Sequence, residues 1–330
     1  MAGGERSVAG RAEARVLCAG ILVADLVVPT LDRLPRAGEL LSTDDFLVQP
    51  GGCAANSAIA LRRLGVPVAV CGCVGDDLFG GWLEADLASR AIDTALVRQV
   101  AGYGTSKTVI VPVAGEDRRF IHTLGANAAL TAEDLPAAAL EAVDVVYVGG
   151  YLVLPGVRQE ALAERCRHAR ASGTTILLDV VAPAEEPLSL EDVRLLLPHV
   201  DYFLPNEDEA RALTGERDPV EQAMRFHEAG ARTVIVKRGA RGALVSDPGG
   251  AFELPAPPVD VVEPSGAGDA FAAGLVLGVL ESWDIERQVC FASALGASAC
   301  TALGCWAGVF TRDEADAFLA RHPLEPRRPG

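Results

Sequence analysis

The chain has 330 residues, of which 50% are hydrophobic and 22% are charged. This composition provides for a large folded core and excludes global disorder. The 45 acidic and 29 basic side chains give a formal net charge of −16. So acidic a surface repels the phosphates of nucleic acids and of anionic lipids, and neither nucleic acid nor a membrane is therefore a predicted partner.

The cysteines and the N-terminus predict a soluble, cytoplasmic protein. The eight cysteines lie mostly inside apolar runs, and the close pair Cys71 and Cys73 has the wrong spacing for a zinc knuckle. We therefore predict reduced thiols, as is usual in the cytoplasm. Residues 1–15 lack the apolar segment of a signal peptide, so a disordered N-terminus is predicted. The longest apolar segment, residues 271–280, is too short to span a membrane.

The first hundred residues alternate between patterns typical of buried strands and of helices. Strands are predicted at 16–23, running on to Asp25, and at 67–74. Helices are predicted at 53–64 and 80–91. This order favours a parallel sheet with crossover helices, and hence an α/β fold.

The middle of the chain departs from this order. Residues 105–113 and 118–124 alternate polar and apolar side chains around a glycine-containing turn, which predicts an antiparallel hairpin. Together with the proline-punctuated stretch at 33–50, the hairpin predicts a small β-sheet that forms a lid over a site. The predicted organisation is therefore a large α/β domain, a lid and a flexible tail: 16–32, 51–103 and 125–322; 33–50 and 104–124; and 323–330.

After residue 125 the strand–helix alternation resumes. Strands are predicted at 143–148, 175–181, 202–204, 233–237, 243–245 and 252–254, and helices at 156–172, 190–197 and 220–229. Two longer apolar helices, predicted at 267–281 and 285–303, close the chain.

The strongest functional signal is the segment EPSGAGDAF at 263–271, directly before a long apolar helix. The N–H groups of Gly266, Ala267 and Gly268 would point outward at the positive end of this helix and form an anion pocket. Asp269 cannot bind a phosphate, because like charges repel, but it can accept a proton from a hydroxyl group. A base and an anion pocket on one turn are what phosphoryl transfer to an alcohol needs. An ordinary helix-capping aspartate is the alternative interpretation.

A second segment, PGGCAAN at 50–56, also leads into a predicted helix. The small residues Gly51 and Gly52 let a ligand approach the backbone, and the side chain of Asn56 can both donate to and accept from hydroxyl groups. On these residues alone, a simple strand–helix turn is an equally good interpretation.

The two segments together, with several matches between them, resemble the ribokinase-like (PfkB) carbohydrate kinase family. The resemblance runs from about residue 16 to 312, and the further matches occur in the expected order at 20–25, 74–80, 125–130, 206–209 and 237–242. It implies a three-layer α/β/α fold with a mainly parallel central sheet and a small β-sheet lid. It also implies an enzyme that moves the γ-phosphate of Mg·ATP to a hydroxyl group, in most cases a primary one, of a sugar or sugar derivative.

The resemblance further implies roles for the residues of the first segment and of the acceptor site. Asp269 is implied to be the catalytic base, with Gly266, Ala267 and Gly268 as the anion hole for the γ-phosphate. The sugar is implied to bind the side chains and backbone of five residues, Asp25, Gly51, Gly52, Asn56 and Tyr151. Asn127 is interpreted as architectural.

The cofactor sites are implied in the same way. ATP is implied to contact Asn206, Glu209, Lys237, Gly239, Gly268 and Ser293. Glu209 is implied to hold Mg²⁺ through water, since Mg²⁺ prefers oxygen ligands and keeps most of its waters. Glu263 and Ser265 lie in a loop that binds a monovalent cation in many members. Because EPS replaces the usual Asp-Thr pair here, activation by K⁺ stays open.

Several polar residues keep two interpretations. Arg118, Arg119 and His122 in the hairpin either reach a substrate or lie exposed to solvent. Asp179 ends a predicted parallel strand, where ligands bind in α/β sheets, although a capping role competes with this. A lid with an exposed sheet edge also predicts a homodimer through the lid.

The functional alternatives differ in acceptor and in class. A nucleoside kinase of the same family is the nearest alternative, but the low aromatic content of 5% favours a sugar-like acceptor. A catalytically silent sugar- or nucleotide-binding regulatory protein is the alternative of a different class. An NAD(P) enzyme and a P-loop ATPase are excluded, because neither G-x-G-x-x-G after the first strand nor G-x-x-x-x-G-K-[ST] occurs.

Overall fold

The computed structural model describes residues 14–116, 118–183 and 187–328. The strands within these residues are, in chain order, β1 (Val16–Gly20), β2 (Val23–Val27), β3 (Leu47–Gly51), β4 (Val68–Gly75), β5 (Asp93–Val100), β6 (Lys107–Val111), β7 (Arg119–Thr123), β8 (Val145–Gly149), β9 (Thr175–Leu178), β10 (Tyr202–Phe203), β11 (Thr233–Lys237), β12 (Ala243–Asp247) and β13 (Gly250–Leu254). The α-helices are α1 (Cys53–Arg63), α2 (Leu78–Ser89), α3 (Ala137–Glu141), α4 (Gln159–Ala171), α5 (Glu207–Thr214), α6 (Pro219–Glu228), α7 (Ala267–Leu280), α8 (Ile285–Ala299) and α9 (Arg312–Arg321).

The central sheet has the strand order β13-β12-β11-β10-β9-β8-β1-β4-β5. Its strands are parallel from β11 to β5, and β12 and β13 add an antiparallel edge. One buried cluster packs α1, α7 and α8 on one face of the sheet, through residues such as Leu61, Leu275 and Leu295. A second cluster packs α4, α5 and α6 on the other face, through residues such as Leu162, Leu213 and Phe226. The predicted three-layer α/β/α fold is therefore confirmed.

A smaller sheet with the order β3-β2-β6-β7 lies over the carboxyl edge of the central sheet. Strands β6 and β7 pair antiparallel, as predicted for the hairpin. The small sheet also contains β2, which pairs with β3 and β6. The boundary drawn at residue 32 was therefore wrong in one respect: residues 23–27 belong to the lid sheet.

The prediction of a single strand from 16 to 23 was wrong because the chain leaves the central sheet at Gly20. Gly20 has a φ of 141°, and a β-carbon there would overlap the carbonyl oxygen of Gly149. Asn127 holds the segment that connects β1 to β2. Its Oδ1 accepts from Leu22 N–H at 3.1 Å, and its Nδ2 donates to Leu22 O at 2.9 Å. Asn127 is fully buried, which fits the architectural interpretation. Asp25 consequently lies in the middle of a lid strand.

Two features of the structure differ from the prediction for local reasons. Residues 190–197 form only short 3₁₀ turns, at Leu190–Asp192 and Leu197–His199, because Pro198 cannot continue a helix. Strand β5 was missed because it is an edge strand whose side chains are mostly half-buried or exposed, which weakens the apolar alternation.

The two chain ends were predicted to be flexible or disordered. Residues 1–13 lie outside the described part, while Arg15 donates from Nε to Asp144 Oδ2 at 2.7 Å. The described part of the tail is held: Arg327 and Glu253 exchange backbone hydrogen bonds of 2.7 and 2.8 Å, which extends the edge of β13. None of the described helices combines the length and the apolar composition that a membrane span requires.

Candidate active site

Two large cavities open at the carboxyl edge of the central sheet. Cavity A, of about 720 Å³, lies between this edge and the lid sheet and is lined by Asp25, Gly52, Asn56, Ser265 and Asp269, among others. Cavity B, of about 700 Å³, lies beside α7 and α8. Its lining includes the predicted nucleotide residues Asn206, Lys237, Gly239, Gly268 and Ser293.

The first turn of α7 separates the two cavities. Gly268 faces cavity B, whereas its neighbour Asp269 faces cavity A. Gly266 precedes the helix with a φ of 76°, and a β-carbon there would overlap the carbonyl oxygen of Cys305, so the loop requires glycine.

The backbone amides of this turn are available for an anion. Within the described residues, the N–H groups of Gly266 and Gly268 have no acceptor, and that of Ala267 makes only a long contact of 3.4 Å with Pro264 O. They lie at the N-terminus of a helix of 14 residues, where the helix dipole favours negative charge. These free amides have the arrangement that the predicted anion pocket requires.

Asp269 is held by α1. Its Oδ2 accepts a hydrogen bond of 2.8 Å from Asn56 Nδ2, and its backbone oxygen accepts one of 3.2 Å from Ser57 Oγ. Burial raises the pKa of Asp269 to about 6, although the bond from Asn56 acts in the opposite direction. A carboxyl group with this pKa is ionised at neutral pH and can accept a proton from a hydroxyl group.

Asp25 reaches cavity A from the lid. It is paired in register with Gln49 on one side and Thr108 on the other. A β-carbon on Gly51 would overlap its Oδ2, so this glycine makes room for the carboxylate. Burial raises the pKa of Asp25 to about 6, although hydrogen bonds from Thr108 and Cys305 oppose the rise.

One polar atom of the Asn56 side chain has no hydrogen-bond partner among the described residues. The side chain is buried and its Nδ2 is used by Asp269, which leaves Oδ1 as that atom. Asn56 lines cavity A, and an unpaired buried acceptor costs free energy unless a ligand satisfies it. A hydroxyl group in cavity A would do so.

Glu263 and Ser265 form a network with a lid arginine. The carboxylate of Glu263 accepts from Ser265 N–H at 3.1 Å and from Gly304 N–H at 3.0 Å. Nε of Arg118 lies 3.3 Å from Glu263 Oε1 and 3.2 Å from Ser265 Oγ. Arg118 therefore joins the lid to the loop before α7, a role that its sequence neighbourhood did not indicate.

The other two polar residues of the hairpin, His122 and Arg119, lie in different environments. His122 lines cavity A, where its Nδ1 lies 3.0 Å from Thr108 Oγ1 and burial lowers its pKa. Arg119 is exposed and forms an ion pair with Glu116.

Asn206 and Glu209, which are predicted to contact the nucleotide, form a capping box at the start of α5. Asn206 N–H donates to Glu209 Oε2 at 2.7 Å, and Glu209 N–H donates to Asn206 Oδ1 at 2.8 Å. The spacing Asn-x-x-Glu is itself a helix-start signal and would have revealed the missed helix α5. Burial raises the pKa of Glu209 to about 7, and the charge of Lys237 opposes the rise.

Tyr151 does not line either cavity. Its side chain is 6% exposed and packs in the core cluster with Leu154 and Leu162, while its neighbours Leu152 and Val153 line cavity A. The predicted contact of Tyr151 with a sugar does not fit this position, because the 3₁₀ turn Tyr151–Val153 directs the ring into the core.

Free amides at a helix N-terminus, a carboxylate on the next residue and a cavity on each side are the arrangement expected of a site for phosphoryl transfer to a hydroxyl group. Residues 13–311 match the pfkB family of carbohydrate kinases, and the chain belongs to this family. It is accordingly an enzyme of the phosphotransferase class.

Individual relatives agree over most of their length. Ribokinase of Bacillus subtilis (strain 168) is 31% identical over 297 residues, covering 90% of this chain and 96% of the relative. Aminoimidazole riboside kinase of Salmonella typhimurium is 28% identical over 292 residues, covering 85% and 91%. The structure of Arabidopsis thaliana ribokinase complexed with ribose and ATP superposes with a TM-score of 0.78 and 22% identity over 93% of this chain and 98% of the other, which shows the shared fold.

Proposed function

We propose that the enzyme transfers the γ-phosphate of Mg·ATP, bound in cavity B, to a hydroxyl group of a neutral sugar or sugar derivative in cavity A. The observation that carries this proposal is the position of Gly268 and Asp269 on opposite sides of the turn between the cavities. The phosphoryl group needs to cross only this turn, with the base on the acceptor side and the amides on the donor side.

The acceptor site is proposed to use Asp25, Asn56 and the backbone of Gly51 and Gly52. The carboxylate of Asp25 accepts hydrogen bonds from two hydroxyl groups, and Oδ1 of Asn56 accepts from a third. No lysine or arginine is among the described residues that line cavity A, while Asp25 and Asp269 both are. This charge balance supports a neutral acceptor rather than a phosphorylated one, because a phosphate group would meet two carboxylates.

The nucleotide site is proposed to use Asn206, Gly239, Gly268 and Ser293. The described residues contain no group of three or more His, Cys, Asp or Glu placed to hold a metal ion. A Mg²⁺ ion bound mainly by ATP phosphates and water, with Glu209 as an indirect ligand, fits this donor set. The ion would neutralise charge on the phosphates.

Asp269→Asn tests the proposed base. This variant keeps the hydrogen bond partner of Asn56 but cannot accept the hydroxyl proton, so we expect kcat to fall by about 10²-fold or more with little change in ATP affinity. The folded carboxyl has its pKa above the ordinary value, so its ionised form is disfavoured by folding and this cost is present at pH 7.5. The variant should therefore unfold at the same temperature as the wild type or higher. Undiminished kcat would refute the role of Asp269.

A nucleoside is the second candidate acceptor, because much of cavity A is apolar. Phe120 of the lid adds an aromatic ring to the lining. The aliphatic and proline residues of the lining are called here the apolar wall: Ile21, Leu124, Leu152, Val153, Pro155 and Val181. A base or another flat apolar group on the sugar would be buried against this wall. The relative named aminoimidazole riboside kinase is compatible with this candidate.

Matched acceptors distinguish the two candidates. Methyl β-riboside and phenyl β-riboside differ only in the group that would face the apolar wall. Burying the ring should raise kcat/KM about tenfold for the phenyl compound if a nucleoside-like acceptor is preferred. Equal or lower kcat/KM for the phenyl compound, with free ribose preferred, would favour a simple sugar.

We propose that a second copy of the chain covers the outer face of the lid. Four apolar side chains form a row across the four strands there, since Leu26 is in register with Val48 and Val109, and Val109 with Ile121. Ile121 is 68% exposed. We expect sedimentation equilibrium to show a dimer that Ile121→Lys weakens, whereas Leu34→Lys, outside the row, does not. A monomeric wild type would refute this pairing.

A cytoplasmic location is proposed from the cysteines. All eight are unpaired and six are buried. Reduced thiols are typical of the cytoplasm.

A further inference from the structure

A lysine and an aspartate from two different strands meet at the carboxyl edge of the central sheet. Lys237 ends β11 and Asp179 follows β9, and the two side chains meet across the short strand β10. Nζ of Lys237 lies 2.8 Å from both Oδ1 and Oδ2 of Asp179, with 16% and 5% of the two side chains exposed. The carboxylate also accepts from Val180 N–H at 2.9 Å and from Tyr147 OH at 3.4 Å. Asp179 is thereby fixed, and it fixes the ammonium group.

The ammonium group lies beside the anion pocket. Nζ of Lys237 is 3.4 Å from the place that a β-carbon on Gly268 would take. Lys237 and Gly268 both line cavity B, and the N–H of Gly268 has no acceptor among the described residues. The ammonium group and the free amides therefore converge on the same space, next to the turn that carries Asp269.

Lys237 supplies positive charge to a site that also holds several carboxylates. Of the described residues that line the two cavities, Lys237 is the only lysine or arginine. Burial acts to lower its pKa, but the negative charges of Asp179, Glu209 and Asp269 outweigh this and raise it, so the amine stays protonated. The phosphates of ATP bring further negative charge into a site that already holds several carboxylates.

We propose that Lys237 is a catalytic residue that binds the oxygen atoms of the phosphoryl group during transfer, and that Asp179 is the positioning residue that holds its ammonium group in place. This inference rests on the proposed function, since it assigns the donor phosphates to cavity B. A fixed cation that faces the charge of the transition state stabilises it without reorganisation during the reaction.

These residues account for each bond and proton of the transfer step. The acceptor oxygen forms a bond to the γ-phosphorus, and its proton passes to Asp269. The bond from the γ-phosphorus to the bridging oxygen breaks, and this oxygen leaves on ADP with the bonding electron pair. Lys237 donates hydrogen bonds to the non-bridging oxygens and keeps its protons throughout, as positively charged groups do in other phosphoryl transfers.

Lys237→Met is the direct test, because methionine has similar length and no charge. We expect kcat to fall by about 10²-fold, while KM for the acceptor and the dissociation constant of ADP change little, since ADP lacks the group that Lys237 contacts. Lys107→Met is the matched control. The chain has only these two lysines, and Lys107 lies in the lid, 3.7 Å from Asp77.

A second variant distinguishes a loss of catalysis from a loss of the fold. Lys237→Met leaves the buried carboxylate of Asp179 without its cation, which can destabilise the fold. The double variant Asp179→Asn/Lys237→Met removes both charges of this pair and should keep the wild-type unfolding temperature, with the same loss of kcat. Asp179→Asn alone should lower kcat less, since the lysine remains but is held less firmly.

Chemical rescue separates a catalytic lysine from a structural one. Lys237→Ala leaves space for a small amine, so added ethylamine should increase kcat with saturation, and neutral ethanol should not. Wild-type kcat in the folded double variant, a loss confined to ADP affinity, or no response to ethylamine would overturn the proposal. Because Asp269→Asn tests the proposed function separately, an inactive Asp269→Asn beside an active Lys237→Met would reject only the inference.

Discussion

The side-chain amide of Asn56, on α1, donates a hydrogen bond of 2.8 Å to Oδ2 of Asp269, on α7. An ionised carboxylate can only accept, so this bond fixes which way the amide faces. Oδ1 of Asn56 is left without a partner among the described residues. One side chain therefore orients the proposed base and offers an acceptor to the hydroxyl groups of the ligand.

This relationship predicts a shift in the pH dependence of kcat. The bond from Asn56 lowers the pKa of Asp269, which burial raises to about 6. In Asn56→Ala that lowering is lost, so the pKa rises and the base becomes protonated at higher pH. The acidic limb of the kcat–pH profile should therefore move to higher pH. Ser57→Ala is the control, because Ser57 contacts Asp269 at its backbone oxygen and not at its carboxylate. An unmoved limb in Asn56→Ala would contradict the prediction.

The lid carboxylate should govern acceptor binding alone. Asp25 lines cavity A and is absent from the described lining of cavity B. Hydrogen bonds to a charged group contribute roughly 1.5–3 kcal/mol, so Asp25→Asn should raise the acceptor KM at least about tenfold. The KM for ATP should stay near the wild-type value. Asp45→Asn, at an exposed lid position, should leave both constants unchanged. A selective loss of ATP binding in Asp25→Asn would instead assign ATP to cavity A and the acceptor to cavity B.

Gly266 should be required for a reason beyond its backbone angle. In Gly266→Ala the new methyl group would overlap the carbonyl oxygen of Cys305, and the loop with its free amides must move. Gly215 is a matched control, because its φ of 77° nearly equals the 76° of Gly266 but a β-carbon there meets nothing within 4 Å. Both variants should lose about 1–2 kcal/mol of stability from backbone strain. Only Gly266→Ala should also lose turnover, measured at saturating ATP; equal kcat in both variants would mean that the loop tolerates the methyl group.

The ion pair between lid and loop should affect stability and cation dependence. Glu263 has a side-chain exposure of 5%, and Arg118 is its cationic partner. Removing one partner of a buried pair is costly, so Arg118→Met should lower the free energy of unfolding by about 2 kcal/mol. Arg119→Met removes an exposed pair with Glu116 and should change it by less than about 1 kcal/mol. Denaturant unfolding of the two variants checks this, and equal losses would contradict it.

Potassium provides a second readout of the same pair. Because Arg118 supplies a positive charge to Glu263, we expect wild-type kcat to change little when KCl is replaced by tetramethylammonium chloride. Arg118→Met leaves the carboxylate without that charge, and its kcat should increase with KCl. A strong K⁺ dependence of the wild type would instead favour a monovalent cation in the loop formed by Glu263 and Ser265.

The sequence predicted those elements of the candidate site that lie within one segment. The helix start at 266–269 and the strand–helix turn at 50–56 were predicted correctly, since glycine spacing and apolar periodicity act over a few residues. The hairpin was predicted for the same reason. Residues 190–197 and strand β5 were not, because Pro198 and a weak apolar pattern at the sheet edge obscured the local signal.

By itself, therefore, the sequence determined the α/β architecture, the proposed base with its amides, and the family resemblance. Tertiary structure alone decided which distant side chains meet: Lys237 with Asp179 across 58 residues, Arg118 with Ser265 across 147, and Asp25 in a lid strand rather than in the central sheet. It also turned Tyr151 into the core. Contacts of this kind depend on strand order and on where the chain leaves a sheet, and no local pattern of residue types encodes either.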